Sequence, residues 1–232
     1  MTRLMMAAVA VALVLQGAAS GRDEKKAPAK PKEKEVTLLR ALEEMEWTLA
    51  TANARKRLLA VTDNQAVPKD EAAGVAMRVR IIAAKDATAV TGIYLSNLSV
   101  AADAKITLDG KEAKWDDLKP NQRVKLRLKK DSPVVTDVTA RTEKAPFKTI
   151  PPVWKLKAVD AKKDTVTLTN DRGLVVKGVE VAKDARLSLL KVGPGVHSTD
   201  AKLADLKVGD PVAVELRGIK GGIQASALAT AK

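Results

Sequence analysis

Apolar and polar residues alternate along much of this chain. Val124, Leu126 and Leu128 are separated by Arg123, Lys125 and Arg127, and Val212, Val214 and Leu216 by Ala213 and Glu215. Met77, Val79 and Ile81 alternate with Arg78 and Arg80, and Val166 and Leu168 with threonines. A period of two puts one side of a segment against a core and the other in solvent, so these runs predict short half-buried strands. Turn signals lie between them: Asn53-Ala54-Arg55-Lys56, Asp160-Ala161-Lys162-Lys163, Asp109-Gly110, Lys207-Val208-Gly209-Asp210 and Gly221-Gly222. One longer helix is predicted within residues 36–45, where Leu38, Leu39, Leu42 and Met45 share a helical face. Residues 114–118 and 202–206 have room for one helical turn each.

The pattern occurs twice. The segment beginning Trp47-Thr48-Leu49 returns at Trp154-Lys155-Leu156, and Val100-Ala101-Ala102-Asp103-Ala104 returns at Val181-Ala182-Lys183-Asp184-Ala185. Ala113-Lys114-Trp115-Asp116-Asp117-Leu118-Lys119 matches Ala201-Lys202-Leu203-Ala204-Asp205-Leu206-Lys207, with the Val124 and Val212 strands following. Three blocks in one order mark a duplication, and residues kept in both copies are those the fold needs. Five or six short strands closing on themselves make a small OB-like or SH3-like barrel. The expected fold is therefore all-β, with two tandem barrels at residues 36–143 and 153–232, joined by a proline-containing linker at 144–152. Each copy holds a complete set of core positions and is expected to fold separately.

The N-terminus changes the picture of where the protein works. Arg3 precedes an unbroken apolar run at residues 4–15, followed by Ala18-Ala19-Ser20. That is the layout of a signal peptide over residues 1–20, and the run is too short to span a bilayer. Residues 21–35 carry interleaved bases and acids with almost no apolar side chains, which predicts a disordered tether. The chain has no cysteine, so disulfides, thiolate metal sites, cysteine nucleophiles and a lipid-modified cysteine are excluded. The implied location is the periplasm or the extracellular space, with no transmembrane anchor after processing.

The repeated blocks resemble small β-barrel domains of uncharacterised secreted bacterial proteins, often tandem and abundant in planctomycete-like genomes. The resemblance covers both copies and implies a compact β barrel with no established activity. Asn121-Gln122 in copy one stands where copy two has Gly209-Asp210, and copy one carries an insert around residues 64–76.

Little in the chain points to catalysis, and no catalytic, cofactor or metal residue is assigned. His197 is the one histidine and reads as a solvated loop residue, too few for a multi-histidine metal site. Asp109, Glu112, Asp116 and Asp117 form an acidic cluster without calcium-loop spacing, and the match of Asp117 to Asp205 argues for turn capping. Asp103 and Asp184 read as turn formers bonding nearby amides. Trp47, Trp154 and Trp115 read as core residues. With only 2% aromatic residues the chain has few platforms for stacked bases, which argues against a sequence-specific nucleic-acid reader.

The net charge of +13 leaves one local feature. Arg123, Lys125, Arg127 and Lys129 recur at period two and so share a strand face, whereas copy two has Pro211, Ala213, Glu215 and Arg217 there. The sequence reading is an exported, non-catalytic envelope or extracellular interaction module whose partner it does not identify. The alternative is a polyanion-binding protein using that stripe on acidic polysaccharide, anionic lipid or nucleic acid. Bases on an edge strand also serve solubility and block edge pairing.

Overall fold

The computed structural model describes residues 32–63, 80–84, 87–142, 152–192 and 196–231. The expected signal peptide, residues 21–31 of the expected tether, the insert and nearly all of the linker lie outside the described residues. The chain is all-β, and strands of both copies belong to one large mixed sheet.

Copy one begins with strand β1 (Lys34–Thr37), so Lys34 and Glu35, assigned from sequence to the tether, are in a strand. Helix α1 (Leu38–Glu44) follows, its start capped by the Thr37 hydroxyl accepting from the Arg40 amide at 3.3 Å. Ala41 and Leu42 are buried, and Leu38, Leu39 and Met45 pack against the same core. Strands β2 (Trp47–Asn53) and β3 (Leu58–Thr62) form a hairpin, in which the Asn53 side chain accepts from the Lys56 amide and Arg57 takes φ of 49°. The β4 strand (Arg80–Ala84) pairs with the start of a long strand, β5 (Ala87–Leu108). Asp109 and Gly110, at φ of 52° and 82°, turn β5 into β6 (Lys111–Glu112), as a two-residue hairpin requires. One 3-10 turn (Trp115–Asp117) leads to β7 (Arg123–Leu128) and β8 (Val135–Arg141).

Copy two repeats the order from β2 onward, with no counterpart of β4 among its described residues: β9 (Trp154–Asp160), β10 (Thr165–Asn170), long strand β11 (Leu174–Val192), β12 (Val196–Asp200), a 3-10 turn (Leu203–Asp205), β13 (Val212–Ile219) and β14 (Gly222–Ala231). Asp160 accepts from the Lys162 and Lys163 amides, and Asp164, at φ of 51°, matches Arg57. Asp117 accepts from the Lys114 amide and Asp205 from the Lys202 amide, both at 2.8 Å, so these two kept aspartates cap the same turn.

The repeated Val-Ala-x-Asp-Ala has a different role from the turn expected of it. In both copies it lies inside the long strand, where the register shifts and the strand changes partners. Before Val100, β5 pairs antiparallel with β3, and from Lys105 it pairs parallel with β8. Likewise β11 pairs with β10 before Val181 and parallel with β14 from Arg186. In copy one the pairings run in a ring through β2, β3, β5, β8 and β7, completed by Trp47 opposite Val124. In copy two the corresponding contact is a bridge between Lys155 and Pro211, with the Leu156 amide donating to the Asp210 carbonyl.

The copies are joined more closely than their sequence suggests. Strand β13 pairs parallel with β5, from Ala213 opposite Gly92 to Arg217 opposite Ser96. At the end of this seam the backbones approach so closely that a Cβ on Gly218 would stand 2.3 Å from the Asn97 carbonyl oxygen. Trp154 is fully buried; its backbone amide donates to the Thr91 hydroxyl at 2.6 Å, and its indole nitrogen to the buried Asp63 carboxylate at 2.7 Å. The other Asp63 oxygen accepts from the Ile93 amide at 2.8 Å. Strand β1 also reaches across, pairing parallel with β11 of copy two from Lys34 opposite Leu174 to Thr37 opposite Lys177. The described residues of both copies belong to one compact unit, and one apolar cluster contains Trp47 and Trp154 alike.

Candidate polyanion-binding face

Strand β7 alternates as its sequence requires, with Val124 and Leu126 inward and Lys125 and Arg127 exposed. The four-residue stripe is not continuous, however. Arg123 is only 6% exposed and donates to the Thr48 hydroxyl at 3.4 Å, because β2 pairs with this end of β7. Its guanidinium lines a cleft of about 350 Å³ that also touches Asp63, Asn170 and Arg172. Lys129 is exposed but lies past the end of β7, after the ladder shifts register between Arg127 and Leu128. Lys125 and Arg127 are the two members of the stripe on the exposed face of the strand.

Neighbouring strands supply bases that a reading of β7 alone does not find. Arg127 stands opposite Asp137 of β8, which in turn stands beside Lys105 of β5; Lys125 stands opposite Thr139, and Arg123 opposite Arg141. Lys105 and Arg141 are exposed. Partners in register share a sheet face, with strands about 4.8 Å apart and alternate residues about 6.7 Å apart along each strand. Lys105, Lys125, Arg127 and Arg141 thus form an open patch of four exposed bases across three strands, with Asp137 among them and Glu112 of β6, opposite Thr107, at the edge. Period-two spacing shows which residues of one strand share a face; it does not show which strands lie side by side.

In copy two this face is covered at one position and open beyond it, where Arg186, Glu215 and Arg217 line a shallow pocket. Ala213, the counterpart of Lys125, is buried at 3% exposure where β13 meets β5, and Glu215, the counterpart of Arg127, stands opposite Tyr94. The β14 residues Ala227 and Ala229 replace Asp137 and Thr139. A lysine at position 213 would place its charge in the seam, so the loss of the base at that one position has a packing cause.

His197 is exposed and sits in β12 opposite Lys191, in a strand where a loop was expected. Asp109 accepts from the Thr142 amide at 2.9 Å, and Asp184 faces Arg217 at 3.4 Å. Among the described residues no group of three or more histidines, aspartates or glutamates is placed to hold a metal ion, and no helix is long and apolar enough to cross a membrane. Trp47 and Trp154 are core residues as expected, whereas Trp115 is only partly buried. No family model, curated protein or solved structure matches this chain.

Proposed function

We propose that this protein is an exported, non-catalytic binding module that engages polyanions through the open face formed by β5, β8 and β7 of copy one. The observation that carries this reading is the cross-strand register that gathers Lys105, Lys125, Arg127 and Arg141 on one exposed surface. A surface in which bases outnumber acids attracts anions of any sequence, since contacts to repeated charged groups supply affinity without base recognition. The apolar run and small-residue site at the N-terminus support export, and the intact mass of the protein recovered from its native envelope is expected to lack about 20 residues.

In this reading each copy is a small five-stranded barrel of OB-like or SH3-like kind. The support is the ring of pairings in copy one and the matching contacts of β9 with the residues before β13 in copy two.

Duplex DNA serves as a uniform polyanion probe. Four contacts at about −0.9 each give a log–log salt slope near −3.6. Replacing Lys125, Arg127 and Arg141 together by glutamine is expected to bring the slope close to about −0.9 without lowering the melting temperature. An unchanged slope in that variant would show that general basicity, and not this face, binds the probe.

A further inference from the structure

At the end of the sheet where β5 bends, copy one carries a tryptophan and an arginine at positions where copy two has Leu203 and Asp164. A groove of about 630 Å³ lies between the β2–β3 turn, the β5 bend and the segment leading into the 3-10 turn. Trp115 lines it and also packs against the apolar core, leaving part of its ring in the groove. The Asp117 carboxylate holds the Lys114 amide at 2.8 Å and so fixes the turn that carries the ring. Arg57 is equally well placed, because its Nη1 donates to the Ala101 and Ala102 carbonyls at 2.9 and 2.6 Å. Lys105 and Lys114 add two exposed bases to the rim, and Asp103 and Glu112 two exposed carboxylates.

The duplication shows how much of this the fold requires. In copy two Leu203 replaces Trp115 and is 9% exposed, so a leucine suffices to close this end of the core. Asp164 replaces Arg57 in the same left-handed turn position. Copy one therefore carries a larger, partly exposed ring and an anchored guanidinium that the packing of this fold does not call for.

We infer that the groove is a subsite for an acidic polysaccharide, with Trp115 as the platform for one pyranose ring. The apolar C–H face of a sugar covers an indole well, and the sugar hydroxyls can donate to Asp103 and Glu112. Arg57, Lys105 and Lys114 pair with the carboxylate or sulfate groups of the chain. A DNA backbone fits less well, because its phosphodiesters and deoxyriboses have no donor to offer the two rim carboxylates. This inference rests on the polyanion reading and narrows its ligand. Lys105 belongs to both surfaces, so one extended chain can lie in the groove and continue over the basic face.

Trp47 and Trp154 are buried to 1% and 0% exposure, so quenching by neutral acrylamide reports mainly on Trp115. Titration of the full chain with tetragalacturonate is expected to shift the emission and reduce acrylamide quenching. Trp115→Leu, which installs the copy-two residue, is expected to weaken tetragalacturonate binding about tenfold while leaving the duplex-DNA salt slope unchanged. The inference is overturned if tetragalacturonate leaves Trp115 quenching unaltered, if Trp115→Leu binds it as tightly as the parent, or if oligothymidylate protects Trp115 equally. Loss of the DNA salt slope in the Lys125, Arg127 and Arg141 variant bears only on the basic face; protection of Trp115 bears only on the groove.

Discussion

Strands β7 and β13 occupy the same place in the two copies and have different surroundings. On β7, Lys125 and Arg127 face solvent beside the bases of β5 and β8. On β13, Ala213 and Glu215 lie along β5 of the other copy, where Gly218 lets two backbones nearly touch. The tryptophans that open the two copies differ in the same way. Trp47 donates its indole N–H to the Leu42 carbonyl within copy one, whereas Trp154 donates to Asp63 across the seam. One copy supplies the open face, and the other is built into the joint that holds the pair together. A difference between repeats thus falls in one of two settings, an open face or the packing against the partner repeat, and only the register of the strands tells them apart.

The largest expected effect breaks the joint altogether. Residues 153–232 alone lack β5, Asp63, Thr91 and β1, leaving the β13 edge unpaired and the Trp154 indole without its acceptor. Such a fragment is expected to show no cooperative thermal transition, while the full chain shows a single one; a sharp transition in the fragment would mean the copies fold independently.

Gly218→Ala sharpens the comparison at one atom. Its Cβ meets the Asn97 backbone carbonyl, which no side-chain rotation relieves, and a cost of about 1–3 kcal/mol is expected in chemical denaturation. Ala substitution at Gly110, whose Cβ position is open, isolates the backbone penalty of a positive φ and serves as the reference.

Smaller still is the difference between the two indoles. Trp47→Phe removes a neutral hydrogen bond, and Trp154→Phe removes one to a buried carboxylate. Bonds to charged groups contribute more, so Trp154→Phe is expected to cost about 1 kcal/mol more than Trp47→Phe. Equal losses would mean that the Asp63 contact is a minor part of the seam.

The smallest effect lies in the segment that bridges the copies. The carboxyl of Glu44 is held below its usual value of 4.5, chiefly by the hydrogen bond from Lys34 and further by Arg40, against an opposing contribution from burial. A carboxylate whose folded pKa is depressed stabilises the protein above its unfolded pKa, and that contribution is lost as pH falls through the folded value. Melting temperature measured from neutral pH down to about pH 3 is expected to fall slightly more steeply in the parent than in Glu44→Gln.

Much of the fold was legible in the chain because it depends on local pattern. Alternation marked the strands around Val124, Val166 and Val212, the Leu38 to Met45 spacing marked α1, and the match of Asp117 with Asp205 marked a capped turn. What could not be read was the set of contacts between distant segments. Arg123 meets Thr48 from 75 positions away, and Lys105 joins Lys125 through a strand between them. Nothing in the sequence shows that Ala213, which stands where copy one has Lys125, is buried against Gly92 in the seam. The Val-Ala-x-Asp-Ala repeat was recognisable as structural, but its aspartates suggested a turn, whereas the segment bends a continuous strand from one partner to the next. Trp115 shared its alignment column with a core leucine, and sequence contains no measure of how much of a larger ring stays outside.

The most direct test of the central claim is a map of backbone amide shifts in the full chain on titration with short-chain polyphosphate, a polyanion without sugar or base. The largest shifts are expected at Lys105, Lys125, Arg127, Thr139 and Arg141, with residues 213–217 in the seam unaffected. Shifts centred on β13 and β14, or spread evenly over the lysines of both copies, would contradict it.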